Sequence, residues 1–266
     1  MLVSFIFATV SPAMAGGLAK ITDIEGGKGG TTGNAGTIYF GNYWQTLKSG
    51  AASGSTNKDN YNKEGIKWRV LANDNNDGST TNPYGGTKQI FLLSDQGLYA
   101  DQFNSNTNMG NKWSTSEIRA TLTGLASGAA SNTVEYADLN TASFAKDAFS
   151  AKEYAAIANT SHKAGGSYSN GAVSSTDKIF LLSRDEAINT DYGFTDSTSA
   201  TDKRKARATE MAKHVKMYGN SEVAYVSSSN SNSPWWLRSP GSDDDGAYYV
   251  KSTATSTTTI ARPVRL

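Results

Sequence analysis

Apolar and polar residues alternate through much of the chain, and the alternation changes period along it. Thr37 to Gln45 (TIYFGNYWQ) places aromatics on alternating faces, as a strand does. Gly65 to Ala72 sets Ile66, Trp68 and Val70 against Lys67 and Arg69, the pattern of a half-buried strand. Two segments resemble each other: KQIFLLSDQGL from Lys88 to Leu98 and DKIFLLSRDEA from Asp177 to Ala187. Each is a short apolar run that stops at serine, consistent with a buried strand. Serine followed three residues later by glutamate marks helix starts at Ser114/Glu117, Ser150/Glu153 and Ser183/Glu186. Short helices are therefore expected to begin near Thr115, Ala151 and Arg184, the first two with staples Trp113/Ile118 and Phe149/Tyr154. A longer helix is expected from about Lys203 to Tyr218, ended by Gly219-Asn220, with Lys203, Arg204, Lys205 and Arg207 on a solvated face. PWWLRS reads as a short strand, and AYYVKS with TTTIARPVRL as a closing hairpin. The fold class expected is α+β: irregular antiparallel sheets, a few short helices and long loops.

The repeated IFLLS run could mark two related halves, but no linker separates them, and residues 37–266 read as a single domain. Residues 16–36 are Gly-rich and read as a flexible lead-in. Before them stands MLVSFIFATVSPAMA, an apolar run from Leu2 to Val10 leading to Ala13-Met14-Ala15. The expectation for residues 1–15 is a secretory leader cut after Ala15, with a start upstream because the basic n-region is missing. A buried strand is the alternative reading of the same residues. The run is too short to span a membrane, and no later stretch is apolar enough to do so.

Composition narrows the chemistry. There is no cysteine, so thiol nucleophiles, disulfides and thiolate metal sites are excluded, and an exported chain without cysteine fits a bacterial source. The two histidines, His162 and His214, leave little room for a transition-metal centre. A net charge of +1 gives no reason to expect nucleic acid as a partner. Nucleophile-elbow, HExxH, phosphate-loop and dinucleotide glycine motifs are missing, so no catalytic residue and no cofactor are expected. Paired carboxylates acting as a hydrolase are left open, since no pair stands out.

The stretch SPWWLRSPGSDDDGAYYV is the most unusual in the chain. Asp243, Asp244 and Asp245 invite comparison with calcium loops. Those take ligands from alternating positions, whereas three consecutive aspartates cannot all point inward, so no metal is expected there. Of Trp235 and Trp236, one is expected in the core and the other, pointing the opposite way, under a loop. Arg238 is expected to pair with a carboxylate inside the fold.

YFGNYWQ, IKWRVLA, IFLLS, WSTSEIRATL, FSAKEYAAI, DKIFLLSRDEA, WWLRSPG and ARPVRL resemble, in this order, a widespread domain of unknown function from secreted bacterial proteins. The match runs from Thr37 to Leu266, with Ala261-Arg262-Pro263 where Gly-Val-Arg-Pro is commoner. That domain resembles the C-type-lectin-like superfamily, which includes the formylglycine-generating enzymes, and the variable proteins of diversity-generating retroelements. The enzymes rely on cysteines and the sugar-binding lectins on EPN or QPD beside WND, and this chain has none of these. The variable-protein resemblance implies a fixed frame (Trp235, Trp236, Arg238, Pro240, Gly241) and a diversified binding face. That face would comprise Ser242, Asp243, Asp244, Asp245, Tyr248 and Tyr249, with Thr253, Thr255, Thr257 and Thr259. From Ser242 to Ile260 the chain is Ser, Asp, Gly, Tyr, Thr and Ile, broken only by Ala247, Val250, Lys251 and Ala254; an Asn codon altered at its adenines yields these, and no Asn follows Asn232. Polar loops are rich in the same residues without any diversification. The resemblance thus implies a secreted or cell-surface, non-catalytic protein that binds a protein or glycan on another cell or virus. A structural or adhesin module of the envelope is the alternative.

Overall fold

The protein is seen in a computed structural model that describes residues 2–3, 6–8, 37–73, 90–105, 110–129, 134–166, 168–194, 204–218, 232–241, 246–251 and 260–261. For residues 2–3, 6–8, 72–73, 191 and 260–261 the description is of the backbone. The Gly-rich residues 16–36 and positions Ser242, Asp243, Asp244, Asp245, Thr253, Thr255, Thr257 and Thr259 lie outside the described residues.

Two five-stranded sheets, a two-stranded hairpin and a set of short helices make an α+β fold. In chain order the strands are β1 (Leu2–Val3), β2 (Ile6–Ala8), β3 (Thr37–Leu47), β4 (Tyr61–Asn73), β5 (Ile90–Ser94), β6 (Tyr99–Ala100), β7 (Thr160–Lys163), β8 (Ser174–Asp177), β9 (Ile179–Phe180), β10 (Trp235–Pro240), β11 (Ala247–Val250) and β12 (Ile260–Ala261). The helices are α1 (Glu117–Thr123), α2 (Phe144–Ala148), α3 (Ala151–Ala156), α4 (Arg184–Ala187) and α5 (Glu210–His214). One sheet runs β12-β11-β10-β1-β6 and a second β3-β4-β5-β2-β9, with β7 and β8 as a separate hairpin. Pairing is antiparallel except between β1 and β10, so the expectation of purely antiparallel sheets holds only in part.

β5 carries the first IFLLS run and is buried at every position, as a continuous apolar run should be. In the second run the strand is only Ile179–Phe180; Leu181 and Leu182 stay buried, and Ser183 turns the chain into α4. Gly41 interrupts the alternation of β3 with a positive φ of 69°; a Cβ there would lie 2.3 Å from the Phe149 ring, so only glycine lets β3 pass under that side chain.

The capping boxes of α3 and α4 form: Ser150 and Ser183 accept from the backbones of Glu153 and Glu186, whose carboxylates reach back to the cap amides. The expected box at Ser114/Glu117 does not form. Residues 113–115 make a turn of 3₁₀ helix, Ser116 caps α1 by accepting from Arg119 N–H, and Glu117 instead binds Ser105. The expected helix over 203–218 shrinks to α5. Before it, Arg204, Ala206 and Ala208 are buried while Lys205 and Arg207 are exposed, a period of two rather than 3.6. Ala206 and Arg207 carbonyls accept from Ser233 and Gly97 amides, so the segment lies extended against its neighbours. Arg204 is therefore not on a solvated face: it is buried and donates to the Ala187 carbonyl.

Asp101 follows β6 and is buried behind Trp236, whose indole N–H donates to the Asp101 carbonyl at 3.1 Å. Burial pushes its carboxyl from 3.8 up to about 7, against bonds from Thr121 Oγ1 and the Gln102 amide. A raised folded value means that the native state holds a proton which the unfolded chain has released. Stability should therefore fall as pH rises from about 4 to 7, by on the order of 4 kcal/mol across that window. Asp101→Asn should flatten this slope and be more stable than the parent at pH 8. Denaturation curves of both proteins at pH 5 and pH 8 check it; equal slopes would show that the carboxyl is already ionised in the native state.

Candidate functional site

β10 is buried along its whole length, WWLRSP. Trp235 is 1% exposed and Trp236 6%, and Trp236 packs against Phe103 in the non-strand segment that follows β6. They do point to opposite sides: Trp235 donates its indole N–H to the Arg204 carbonyl at 3.0 Å, and Trp236 to that of Asp101. Both faces of this interior strand are core. Arg238 is also buried. Its Nη1 and Nη2 donate to Glu186 at 2.6 and 2.9 Å, and its Nε to the Lys163 carbonyl at 2.8 Å. The guanidinium is thus neutralised inside the fold and ties β10 to α4 and β7. The Ser239 hydroxyl donates to the Ala164 carbonyl and accepts from the Arg184 amide, a third tie in the same place.

Beyond Pro240 the strand ends, and the chain returns as β11. Gly241 N–H donates to the Gly246 carbonyl at 2.6 Å, closing the hairpin across positions 242–245. The buried Asn111 fixes this closure from below: its Nδ2 donates to Gly246 O at 2.9 Å, and its Oδ1 accepts from Asn170 at 2.9 Å. Tyr248 and Tyr249 follow on β11. Tyr249 is half-buried and meets Trp236 edge-on at 6.3 Å. Tyr248 is 8% exposed, stacks on Tyr168 at 6.3 Å and lies under the Arg184 guanidinium at 5.7 Å. Burial raises the pKa of both phenols, so both are uncharged at neutral pH.

Next to Tyr248 opens a cleft of about 730 Å³, lined among others by Gly166, Tyr168, Asp185, Glu186, His162 and Arg238. One wall is the turn between β7 and β8. Gly171 sits so close under it that a Cβ would lie 2.5 Å from the Gly165 carbonyl, and Gly166 N–H donates to Asp185 Oδ2. Tyr168, 36% exposed, stands on this wall.

His162 lines the cleft, but its imidazole is sealed from solvent. Its Nε2 lies 3.0 Å from Asp177 Oδ2, and its Nδ1 has no hydrogen-bond partner. Burial, helped by the charge of Arg238, lowers the His162 pKa, so the ring is neutral and donates through Nε2. Asp177 accepts further bonds from Trp113 Nε1 at 3.0 Å and from Arg119 Nε at 3.0 Å, and Arg119 Nη2 lies at ion-pair distance, 2.8 Å, from its Oδ1. Burial alone would raise the Asp177 carboxyl, but the bonds from His162 and Arg119 outweigh it and hold the group ionised. A charge paired at this depth joins a 3₁₀ turn, α1, β7 and β8 at one point. It is a structural hub, closed to any ligand that keeps the floor intact.

The structure therefore brings together Trp235, Trp236, Arg238, Pro240, Gly241, Tyr248 and Tyr249, all on β10, β11 or the turn between them. Sequence reasoning missed Asn111, Tyr168 and the Asp177 cluster. Tyr168 lies in the Gly-Ser segment AGGSYSNGA, where an aromatic in an otherwise small and polar run was the available signal. Among the described residues no group of three His, Asp or Glu could hold a metal ion, and no helix is long and apolar enough to cross a membrane.

No curated protein and no solved structure matches the chain. A family model does, over residues 87–264, from just before β5 to past β12, and so takes in the cleft, the β10–β11 hairpin and the Asp177 cluster. With so much of its length matched, the chain belongs to the family described as a domain of unknown function, DUF6273.

Proposed function

We propose that this chain is a non-catalytic ligand-binding protein on a C-type-lectin-like frame, secreted or held at a bacterial cell surface. Its face is formed by residues 242–245 and Tyr249 together with 253–259, and its ligand is a protein or glycan on another cell or virus. The observation that carries the reading is the pinned hairpin. Gly241 and Gly246 are joined to each other and to Asn111 through main-chain atoms, so both flanks of positions 242–245 are held by backbone. That is what a surface open to sequence change requires. Tyr249, backed by Trp236, and Tyr168, backed by Tyr248, stand beside that hairpin. Such rigid aromatic anchors give contact area at low entropic cost. Tyr248 itself belongs to the support, because it is buried.

The test uses a glycan array and a pull-down from intact cells, each with and without calcium. A variant with Ser242, Asp243, Asp244 and Asp245 replaced by alanine should unfold within ~0.5 kcal/mol of the parent, as surface changes do. It should lose binding to the ligand the parent captures, and Tyr249→Ala should lose much of it as well. Unchanged binding in the four-alanine variant would remove the hairpin from the site. A calcium requirement abolished by Asp244→Ala would replace this reading with a metal-dependent one.

A further inference from the structure

The apolar stretch at the start of the chain occupies positions that a removable segment does not take. Ile6, Phe7 and Ala8 pair on one side with Leu93, Leu92 and Phe91 of β5. On the other side Ile6 and Phe7 pair with Phe180 and Ile179 of β9. A few residues earlier, Leu2 pairs with Trp235 of β10 and with Ala100 of β6. The same short segment is thus an interior strand in each of the two sheets.

Its four neighbours are among the most deeply placed strands in the protein. β5, β6, β9 and β10 are buried at every residue. Without β1 and β2, each would turn a row of N–H and C=O groups toward an empty slot, and buried backbone groups without partners each cost about as much as a lost hydrogen bond. The slot would also face solvent with four apolar strand edges, the arrangement that natural sheets avoid. The run VSFIFATV, rich in Val, Ile and Phe, suits such a strand.

We propose that residues 2–3 and 6–8 are permanent interior strands of the folded domain, one in each sheet, and not part of a leader removed after Ala15. The proposal rests on strand pairing alone. It is independent of the binding face and leaves open a leader ahead of Met1.

Hydrogen exchange on the full chain decides it. The amides of Ile6, Phe7 and Ala8 should be protected to the same degree as those of Phe91, Leu92 and Leu93. Exchange as fast as in a free peptide of the same sequence would overturn the proposal. A second measurement uses proline, which removes an amide donor and is not tolerated in an interior strand. Phe7→Pro should lower the melting temperature or abolish the cooperative transition. If Phe7→Pro melts like the parent, the strand is dispensable and the proposal fails. If it does not fold at all, the exchange pattern of the parent still gives the answer.

Discussion

Asp177→Ala should destabilise the protein by about 3–5 kcal/mol, the range for removing one partner from a buried ion pair. The carboxylate is fully buried and accepts from Trp113, Arg119 and His162 at 3.0–3.1 Å. Its loss leaves the Arg119 charge buried with only the carbonyls of Ser114 and Ala129 as acceptors, and strips donors on Trp113 and His162 of their partner. Asp177→Asn keeps acceptor capacity but not charge, and should fall between alanine and the parent. Urea denaturation of the three proteins checks the order. A variant Asp177→Ala as stable as the parent would mean that the hub is not formed in solution.

Trp235→Ala and Trp236→Ala should each cost about 3–5 kcal/mol, as truncating a buried aromatic does. The sequence alone led to an unequal pair, one severe and one mild. The structure makes them alike, because each indole fills core on its own side of β10 and satisfies a backbone carbonyl. Phenylalanine at either position separates the two contributions. It restores most of the apolar area but removes the indole bond to the carbonyl of Arg204 or Asp101, a loss of about 0.5–1.5 kcal/mol. Thermal melts of the four variants give the comparison. A mild Trp236→Ala beside a severe Trp235→Ala would favour the loop-covered position inferred from the sequence.

Much of the fold was legible where a local pattern determines the outcome. The capping boxes at Ser150 and Ser183 form because serine and glutamate three residues apart satisfy each other's backbone whatever lies around them. IFLLS is strand because an apolar run bounded by polar residues has little else to be. The failures came where distant partners decide. Residues 204–208 look like part of a basic helix, yet Gly97 and Ser233 take their backbone bonds and hold them extended. Ser114 loses the cap to Ser116 because Glu117 is drawn to Ser105. The support of the candidate site was half legible. WWLRSPG announces a buried strand and a turn, but Asn111 and Tyr168 reach the hairpin across more than fifty residues of chain, and no local spacing reports that.

The pairing of Leu2 with Trp235 also bears on how the molecule forms. Leu2 has its place beside a strand more than two hundred residues later, so the sheet that contains both cannot close until the chain is available through β10. Contacts of such high sequence separation carry a large loop-closure cost and slow the search for the native state. During that interval the edge of β1 that takes β10 stays open, which is when sheet proteins aggregate. Refolding yield should therefore be set by concentration and time rather than by final stability.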